Sequence, residues 1–185
     1  FYSHPRRFGK SLLVSTLRYL FEGQRELFAQ LHIGKKVDYD WQTYPVVQFN
    51  FASFGHQVKN IEAHLSNRIK ENARNHNVVL NDLSLSTQFK SLIKQIAAKG
   101  QPVVLLIDEY DKPIVDFFTE PEQAKVNQSI LRDFFSPLKD LDAEGHLRFL
   151  FITGASKFSK VSLFSDLNNL TDLTIHPLAK DLVGI

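Results

Sequence analysis

The sequence predicts an α/β domain with a mainly parallel β-sheet flanked by helices, and two observations carry this prediction. The first is that short strand-like segments alternate along the chain with longer segments of helical periodicity. The second is that residues 103–107 form a continuous apolar run, which is typical of a parallel strand that helices cover on both faces. Residues 147–152, which are apolar except for Arg148, predict a second buried strand.

Each element follows from a local pattern. Leu13, Leu17 and Leu20 recur at helical spacing, whereas residues 45–51 are rich in β-branched and aromatic side chains and predict a strand. The predicted elements, in chain order, are a helix over 10–31, a strand over 45–51, helices over 56–75 and 84–99, a strand over 103–107, a helix over 123–142, a strand over 147–152, a short helix around 161–168 and a last strand near 173–175.

Composition limits the class of protein. A chain of 185 residues, 43% hydrophobic and 23% charged, fits one ordinary globular domain over residues 1–185. The net charge of +2 is too small to indicate nucleic acid or an acidic membrane as a partner. Without cysteine there is no disulfide or thiolate metal site, which fits a reducing cytoplasm. No apolar run approaches the length of a membrane span, so we expect no membrane contact.

The stretch HPRRFGKSLL, which begins at His4, ends like the phosphate-binding pattern G-x-x-x-x-G-K-[ST]. Its first glycine position is occupied by His4. In such a loop Gly9 lets the backbone approach phosphate, Lys10 contacts the β- and γ-phosphates, and Ser11 ligates Mg²⁺. We therefore predict a site for ATP and Mg²⁺ on Arg7, Phe8, Gly9, Lys10, Ser11 and Leu12. On these residues alone, a chance helix start remains the alternative.

Two carboxylates, Asp108 and Glu109, directly follow the apolar run 103–107. This is the Walker B arrangement, in which Asp108 holds Mg²⁺, usually through water. Glu109 is then placed to orient or deprotonate the water that attacks the γ-phosphate. The alternative is a charged turn by which a strand leaves the core, and the two residues alone leave it open.

Thr153 follows the second predicted buried strand, 147–152. In one large division of phosphate-loop NTPases, the additional-strand type, this strand lies between the loop strand and the Walker B strand. A polar residue at its end then faces the γ-phosphate as a sensor. Most threonines at strand ends are only turn residues, but the order of loop, acidic pair and threonine favours the nucleotide site.

Five stretches resemble the AAA-ATPase-like family of bacterial proteins, which is related to AAA+ and STAND-type NTPases. They lie within residues 4–173 and read HPRRFGKSL, YPVVQFNFAS, VVLLIDEYDKPI, LRDFFSPLKD and RFLFITGASKFSKVSLFSDLNNLTDL. The loop of this family resembles R-P-R-R-F-G-K-[ST] and has no first glycine, so the lack of glycine at His4 is not a defect peculiar to this chain.

The resemblance implies the same roles for Lys10, Ser11, Asp108, Glu109 and Thr153, with Lys10, Glu109 and Thr153 catalytic. It also implies that Pro5 stiffens the loop and that Arg6 or Arg7 adds a cationic contact to phosphate. Lys157 departs from the family, which tends to have arginine there.

The resemblance implies an ATP-binding, Mg²⁺-dependent ATP-hydrolysing module. The alternatives are a non-hydrolysing nucleotide switch or scaffold and a small-molecule phosphotransferase. Family members often carry a C-terminal PD-(D/E)XK nuclease-like domain, so nucleic acid is an expected partner, and a homo-oligomer could supply an arginine finger. The chain contains no methionine and starts shortly before the loop. We therefore expect an internal piece that lacks most of its first strand and a C-terminal lid.

Overall fold

The sheet is parallel and has the strand order β1-β4-β3-β2. A computed structural model describes residues 1–5, 7–81, 84–155, 163–164, 167, 170–179 and 182. The strands are β1 Tyr2–Ser3, β2 Val46–Asn50, β3 Val103–Asp108 and β4 Leu147–Gly154. The α/β fold predicted from the sequence is confirmed, and β4 lies between β1 and β3 as the additional-strand arrangement requires.

Helices cover the sheet. They are α1 Lys10–Phe21, α2 His32–Lys35, α3 Ile61–Asn75, α4 Leu85–Ala97, α5 Lys112–Val115, α6 Pro121–Phe135 and α7 Leu138–Ala143, with 3₁₀ turns at Arg25–Phe28, Phe51–Phe54 and Pro177–Ala179. Asn60 and Ser84 cap α3 and α4 by accepting hydrogen bonds from backbone N–H groups of the first turn. Within the described part of the chain, no helix combines the length and apolar content needed to cross a bilayer.

Strand β3 joins the two layers of the core because its side chains point alternately to opposite faces of the sheet. Val103, Leu105 and Ile107 pack into the larger cluster under α3, α4, α6 and α7. Val104 and Leu106 pack on the other face with Val14 of α1. All six residues of β3 are buried, which explains its continuous apolar run. This packing fixes the carboxyl end of β3, where Asp108 lies.

Three predicted helices differ from the extents that the periodicity indicated. The helix predicted over 56–75 begins only at Ile61, where the Asn60 side chain caps it. The helix predicted over 10–31 ends at Phe21, because Gly23 takes a left-handed conformation with φ of 73°. The helix predicted over 123–142 is in fact two helices, α6 and α7, which meet at Pro137. Proline cannot continue a helix from within, since it lacks the N–H that the ladder needs.

The last strand predicted from the sequence, near residues 173–175, is wrong: the backbone turns at 174–175. The segment nevertheless lies beside β1, because Leu173 N–H donates to the carbonyl of Phe1 at 2.8 Å and Ser3 N–H donates to the Thr174 hydroxyl at 3.1 Å. The Phe1 amino group also donates to the Thr171 carbonyl at 2.9 Å, and the turn at 174–175 ends the pairing after these two backbone hydrogen bonds. The short helix predicted around 161–168 falls largely outside the described residues.

Candidate functional site

The carboxyl ends of β3 and β4 bring three predicted site residues together. Ile107 pairs with Ile152, so the next residues, Asp108 and Thr153, lie side by side. The Thr153 hydroxyl donates to Oδ1 of Asp108 at 2.5 Å and accepts from the Glu109 N–H at 3.2 Å. Asp108 and Thr153 are both almost fully buried. The acidic pair and the threonine therefore form one hydrogen-bonded unit.

Asp108 has one carboxylate oxygen that is not used in this unit. Its Oδ2 atom is buried and has no hydrogen-bond partner among the residues that the structure describes. A buried carboxylate oxygen without a partner costs free energy unless a donor or a cation approaches it. The residue thus has an acceptor available for a ligand that comes to this edge of the sheet.

Thr153 is more enclosed than its predicted sensor role requires. Its side chain is 0% exposed, and its hydroxyl already contacts Asp108 and the Glu109 backbone. Its contacts make it a residue that holds the two acidic residues in place. That Thr153 faces the γ-phosphate directly stays a prediction.

Glu109 and Arg7 share an unusual backbone geometry. Glu109 has φ of 53° and Arg7 has φ of 69°, and both lie in the left-handed region that non-glycine residues seldom adopt. Among the described residues only four non-glycine positions have positive φ, and these two are both predicted site residues. Such conformations cost about 1–3 kcal/mol and concentrate at functional sites.

The turn after β3 contacts the end of β4 residue by residue. The Tyr110 N–H donates to the Thr153 carbonyl at 3.1 Å. A Cβ on Gly154 would lie 2.4 Å from Cε1 of Tyr110, so only glycine fits there. Both carboxylate oxygens of Asp111 accept from the Ala155 N–H, at 3.1 and 3.0 Å. The sequence predicts no part for Tyr110 or Gly154, and for Asp111 it leaves a supporting, a surface and a catalytic role open. The only available signal was the nearness of Asp111 to the acidic pair.

The predicted phosphate loop connects β1 to α1 beside this unit. β1 pairs with the end of β4, Tyr2 with Thr153 and Ser3 with Gly154, and the His4 N–H donates to the Gly154 carbonyl at 3.2 Å. The loop therefore starts next to the end of β4. This places the predicted phosphate and metal residues at the same carboxyl edge of the sheet, as expected for parallel α/β folds.

Lys10 is the first residue of α1, and its buried side chain contacts the predicted phosphate loop. The side chain is 4% exposed, and Nζ donates to the carbonyls of His4 and Pro5 at 2.7 and 2.8 Å. Gly9 precedes the helix in a left-handed conformation, with φ of 81°, which glycine adopts without strain. The ammonium group is thus aimed at the inside of the loop, where a phosphate would approach.

The remaining loop residues lie at the surface. Arg7, Gly9 and Ser11 are exposed. Phe8 is 37% exposed and packs against the His4 ring. Leu12, which was predicted to contact the cofactor, is 72% exposed. Arg6 and Lys157 lie outside the described residues.

A largely buried ion pair between Lys112 and Asp116 stabilises α5 next to the turn that carries Asp108 and Glu109. Lys112 donates to Asp116 one helical turn later, and Asp116 also accepts from the Gln57 N–H at 3.4 Å. Burial raises the pKa of Asp116, but the hydrogen bond and the charge of Lys112 outweigh it and hold the pKa below its ordinary value. The pair connects α5 with the loop that follows β2.

The donor set fits a hydrated magnesium ion. The described residues contain no group of three or more histidine or acidic side chains that could hold a metal. Mg²⁺ bound with a nucleotide needs no such group, since it usually keeps several waters and takes one or two protein oxygens plus phosphate oxygens. The unpaired Asp108 oxygen and the exposed Ser11 hydroxyl are oxygen ligands of this kind.

Comparisons with known proteins agree with this architecture. A protein of Azotobacter chroococcum mcd 1, named "Uncharacterized protein in vnfD 5'region", is 40% identical over 187 residues. The alignment covers 100% of this chain but only 36% of that relative. No solved structure matches the chain. The family model described as "Predicted AAA-ATPase" matches residues 1–164, so the chain belongs to the predicted AAA-ATPase family, whose description implies nucleotide binding.

Proposed function

We propose that this domain binds ATP with Mg²⁺ on loop residues 7–12 and hydrolyses it. The observation that carries the proposal is the connected geometry at the carboxyl edge of the sheet. The loop is bonded to Gly154, the neighbouring Thr153 is bonded to Asp108, and Glu109 is bonded to Thr153. The predicted phosphate loop after β1 and the acidic pair at the end of β3 are therefore linked through the end of β4, which lies between these two strands.

Phosphate binding falls to Lys10, Gly9 and the start of α1. The Lys10 ammonium group now donates to two loop carbonyls, and we propose that it turns to phosphate oxygens when ATP enters. The backbone N–H groups at the start of α1 and the positive end of its dipole favour the same anion. Charge-assisted hydrogen bonds of this type are among the strongest in proteins.

Metal binding falls to Asp108 and Ser11. The buried Oδ2 atom of Asp108 supplies a carboxylate oxygen, directly or through a water, and Ser11 supplies a hydroxyl. When bound, Mg²⁺ neutralises part of the charge on the β- and γ-phosphates. Thr153 keeps the other Asp108 oxygen in a fixed hydrogen bond, which orients the carboxylate.

Hydrolysis falls to Glu109, whose carboxylate would accept a proton from a water molecule. As the water oxygen forms its bond to the γ-phosphorus, the bond between that phosphorus and the bridging oxygen breaks, and the electron pair leaves with ADP. The proton passes to Glu109 and then to solvent. Catalysis here rests on positioning, so the hydrogen bond between the Glu109 N–H and Thr153 supports this role.

The test is phosphate release measured together with ATP binding in the full-length protein. Glu109→Gln should keep ATP affinity and lower the rate about 10² to 10⁴-fold, since the amide cannot accept the proton. Asp108→Asn should instead change the dependence of the rate on Mg²⁺ concentration. If the wild type binds ATP but releases no phosphate, the domain is a nucleotide switch and the hydrolytic part of the proposal fails.

The activity that ATP turnover would drive is a proposal about the whole protein. The chain spans 36% of the relative that it matches, so the activity of the whole protein is a separate proposal. We propose that ATP turnover controls work on nucleic acid by an appended nuclease-like domain, as the resemblance implies. An arginine from a second copy of the chain would complete the charge stabilisation. Nuclease assays of the full-length protein with and without ATP test the first point.

A further inference from the structure

Three consecutive residues after β3 contact three consecutive residues at the end of β4. Glu109 and Tyr110 donate backbone hydrogen bonds to Thr153, Tyr110 packs its ring on Gly154, and Asp111 accepts from Ala155. We refer to these two segments, Glu109–Asp111 and Thr153–Ala155, as the β3–β4 clamp. Two of its six residues carry predicted chemistry. The other four have no assigned part in the proposed reaction.

Asp111 makes the outermost contact of the β3–β4 clamp. Its side chain is 1% exposed, and both of its carboxylate oxygens face the same Ala155 N–H. Its own backbone is fixed, because its carbonyl accepts from the N–H groups of Ile114 and Val115 at the start of α5. Burying a carboxylate is costly, so a buried acid whose two oxygens both accept from a backbone amide of the neighbouring strand end points to a specific task.

The packing of Tyr110 on Gly154 restricts the same backbone segment that the Asp111 carboxylate contacts at Ala155. The buried Tyr110 ring lies so close to Gly154 that a Cβ there would overlap it. The Tyr110 ring packs against Gly154, and the Asp111 carboxylate accepts a hydrogen bond from the N–H of the next residue, Ala155. The backbone from Thr153 to Ala155 thus has a single position relative to Glu109.

We propose that Asp111 is a positioning residue for the hydrolytic step, an inference that rests on the proposed ATPase function. In this role Asp111 acts through Ala155 and not by contact with the reacting atoms. It holds Ala155, and through the continuous backbone it holds Thr153, whose hydroxyl orients Asp108 and Glu109. Small displacements of catalytic groups cost large factors in rate, so losing this hold should affect turnover rather than binding.

The test compares three variants of the full-length protein in steady-state ATP hydrolysis. Asp111→Ala should lower kcat about 10 to 10²-fold and leave KM for ATP unchanged. Asp111→Asn should regain most of the rate, since the amide oxygen can still accept from Ala155 N–H. Asn127→Ala is the matched control, because buried Asn127 holds the same helix α5 through the Pro113 carbonyl at 2.7 Å but does not contact β4 in this way.

Hydrogen exchange gives a second readout that does not depend on turnover. The amide of Ala155 should exchange faster in Asp111→Ala and not in Asn127→Ala. All assays are run below the melting temperature of the least stable variant, so that unfolding does not mimic the effect.

Several results would overturn the inference. Asp111 is not a positioning residue if Asn127→Ala loses kcat equally, if Asp111→Asn is as slow as Asp111→Ala, or if Asp111→Ala slows turnover without faster exchange at Ala155. An active Asp111→Ala variant overturns this inference alone. A wild type without turnover overturns the proposed ATPase function and this inference together.

Discussion

The hydroxyl of Thr153 donates a 2.5 Å hydrogen bond to Oδ1 of Asp108, and this bond joins the carboxyl ends of β4 and β3. The two residues are 45 positions apart in the sequence, and only the parallel pairing of these strands brings them together. One oxygen of Asp108 is thereby fixed, while the other has no partner among the described residues. The fold itself therefore orients the carboxylate that we assign to the metal.

Thr153→Val should destabilise the fold, because valine has the shape of threonine but no hydroxyl. The change leaves Oδ1 of Asp108 and the Glu109 N–H without this partner, and each unsatisfied buried group costs about 1–3 kcal/mol. Urea unfolding measures the loss. Thr153→Ser should retain most of the stability, and Thr16→Val, which removes a solvent-exposed hydroxyl hydrogen bond to the Leu12 carbonyl, should change it by less than about 0.5 kcal/mol. Equal stabilities for the serine and valine variants would contradict this reading of the bond.

Lys10→Ala should weaken ATP binding about 10 to 10²-fold, which corresponds to the loss of one charged hydrogen bond to phosphate. The reason is the place of Lys10 at the start of α1, with its ammonium group inside the loop. Titration of a fluorescent ATP analogue measures the affinity. Lys125→Ala, which removes an exposed lysine paired with Glu122, is the control and should bind normally. If both variants bind as the wild type does, residues 7–12 are not a phosphate loop.

The ion pair of Lys112 and Asp116 should make stability depend on pH below neutrality. The folded state lowers the pKa of Asp116, so the charged form stabilises the fold above the pH where an unfolded aspartate titrates, about pH 4. That contribution is lost as the pH falls through the lower, folded-state value. The difference in unfolding free energy between wild type and Asp116→Asn should therefore be large at pH 7 and shrink towards pH 3. A difference that stays constant over this range would exclude the linkage.

The main strands and their order were predictable because a buried strand has a simple sequence pattern, a short stretch of mostly apolar residues. β3 is an apolar run buried on both faces, β4 is buried over its second half, and the structure places the ends of both strands within two residues of the prediction. Helix ends were less predictable, because the apolar periodicity of the sequence continues past Phe21 and past Pro137, whereas the helical conformation is interrupted at both places. Gly23 and Pro137 were visible signals that local chain geometry overrides the apolar pattern.

The contacts inside the site were not predictable in the same way. Asp111 reaches Ala155, 44 residues further along the chain, and nothing in the neighbourhood of either residue encodes this hydrogen bond. The burial of Thr153 and the left-handed backbone of Glu109 likewise follow from how two strand ends fit together. Sequence patterns indicate which residues reach the carboxyl edge of the sheet, whereas packing at that edge decides how they are oriented.

Replacing Glu109 by glycine should relieve the strain of the left-handed backbone conformation at this position. At φ of 53° a non-glycine residue pays about 1–2 kcal/mol, while glycine adopts this region freely but loses about 0.5–1 kcal/mol through the greater freedom of the unfolded chain. Glu109→Gly should therefore be more stable than Glu109→Gln by a few tenths to about 1 kcal/mol in urea unfolding. Both variants lack the carboxylate, so their difference isolates the backbone. Glu26→Gly, in a 3₁₀ turn without positive φ, should instead lose stability. If Glu109→Gly is the less stable of the two, Glu109 is not strained, and its conformation gives no support to a catalytic role.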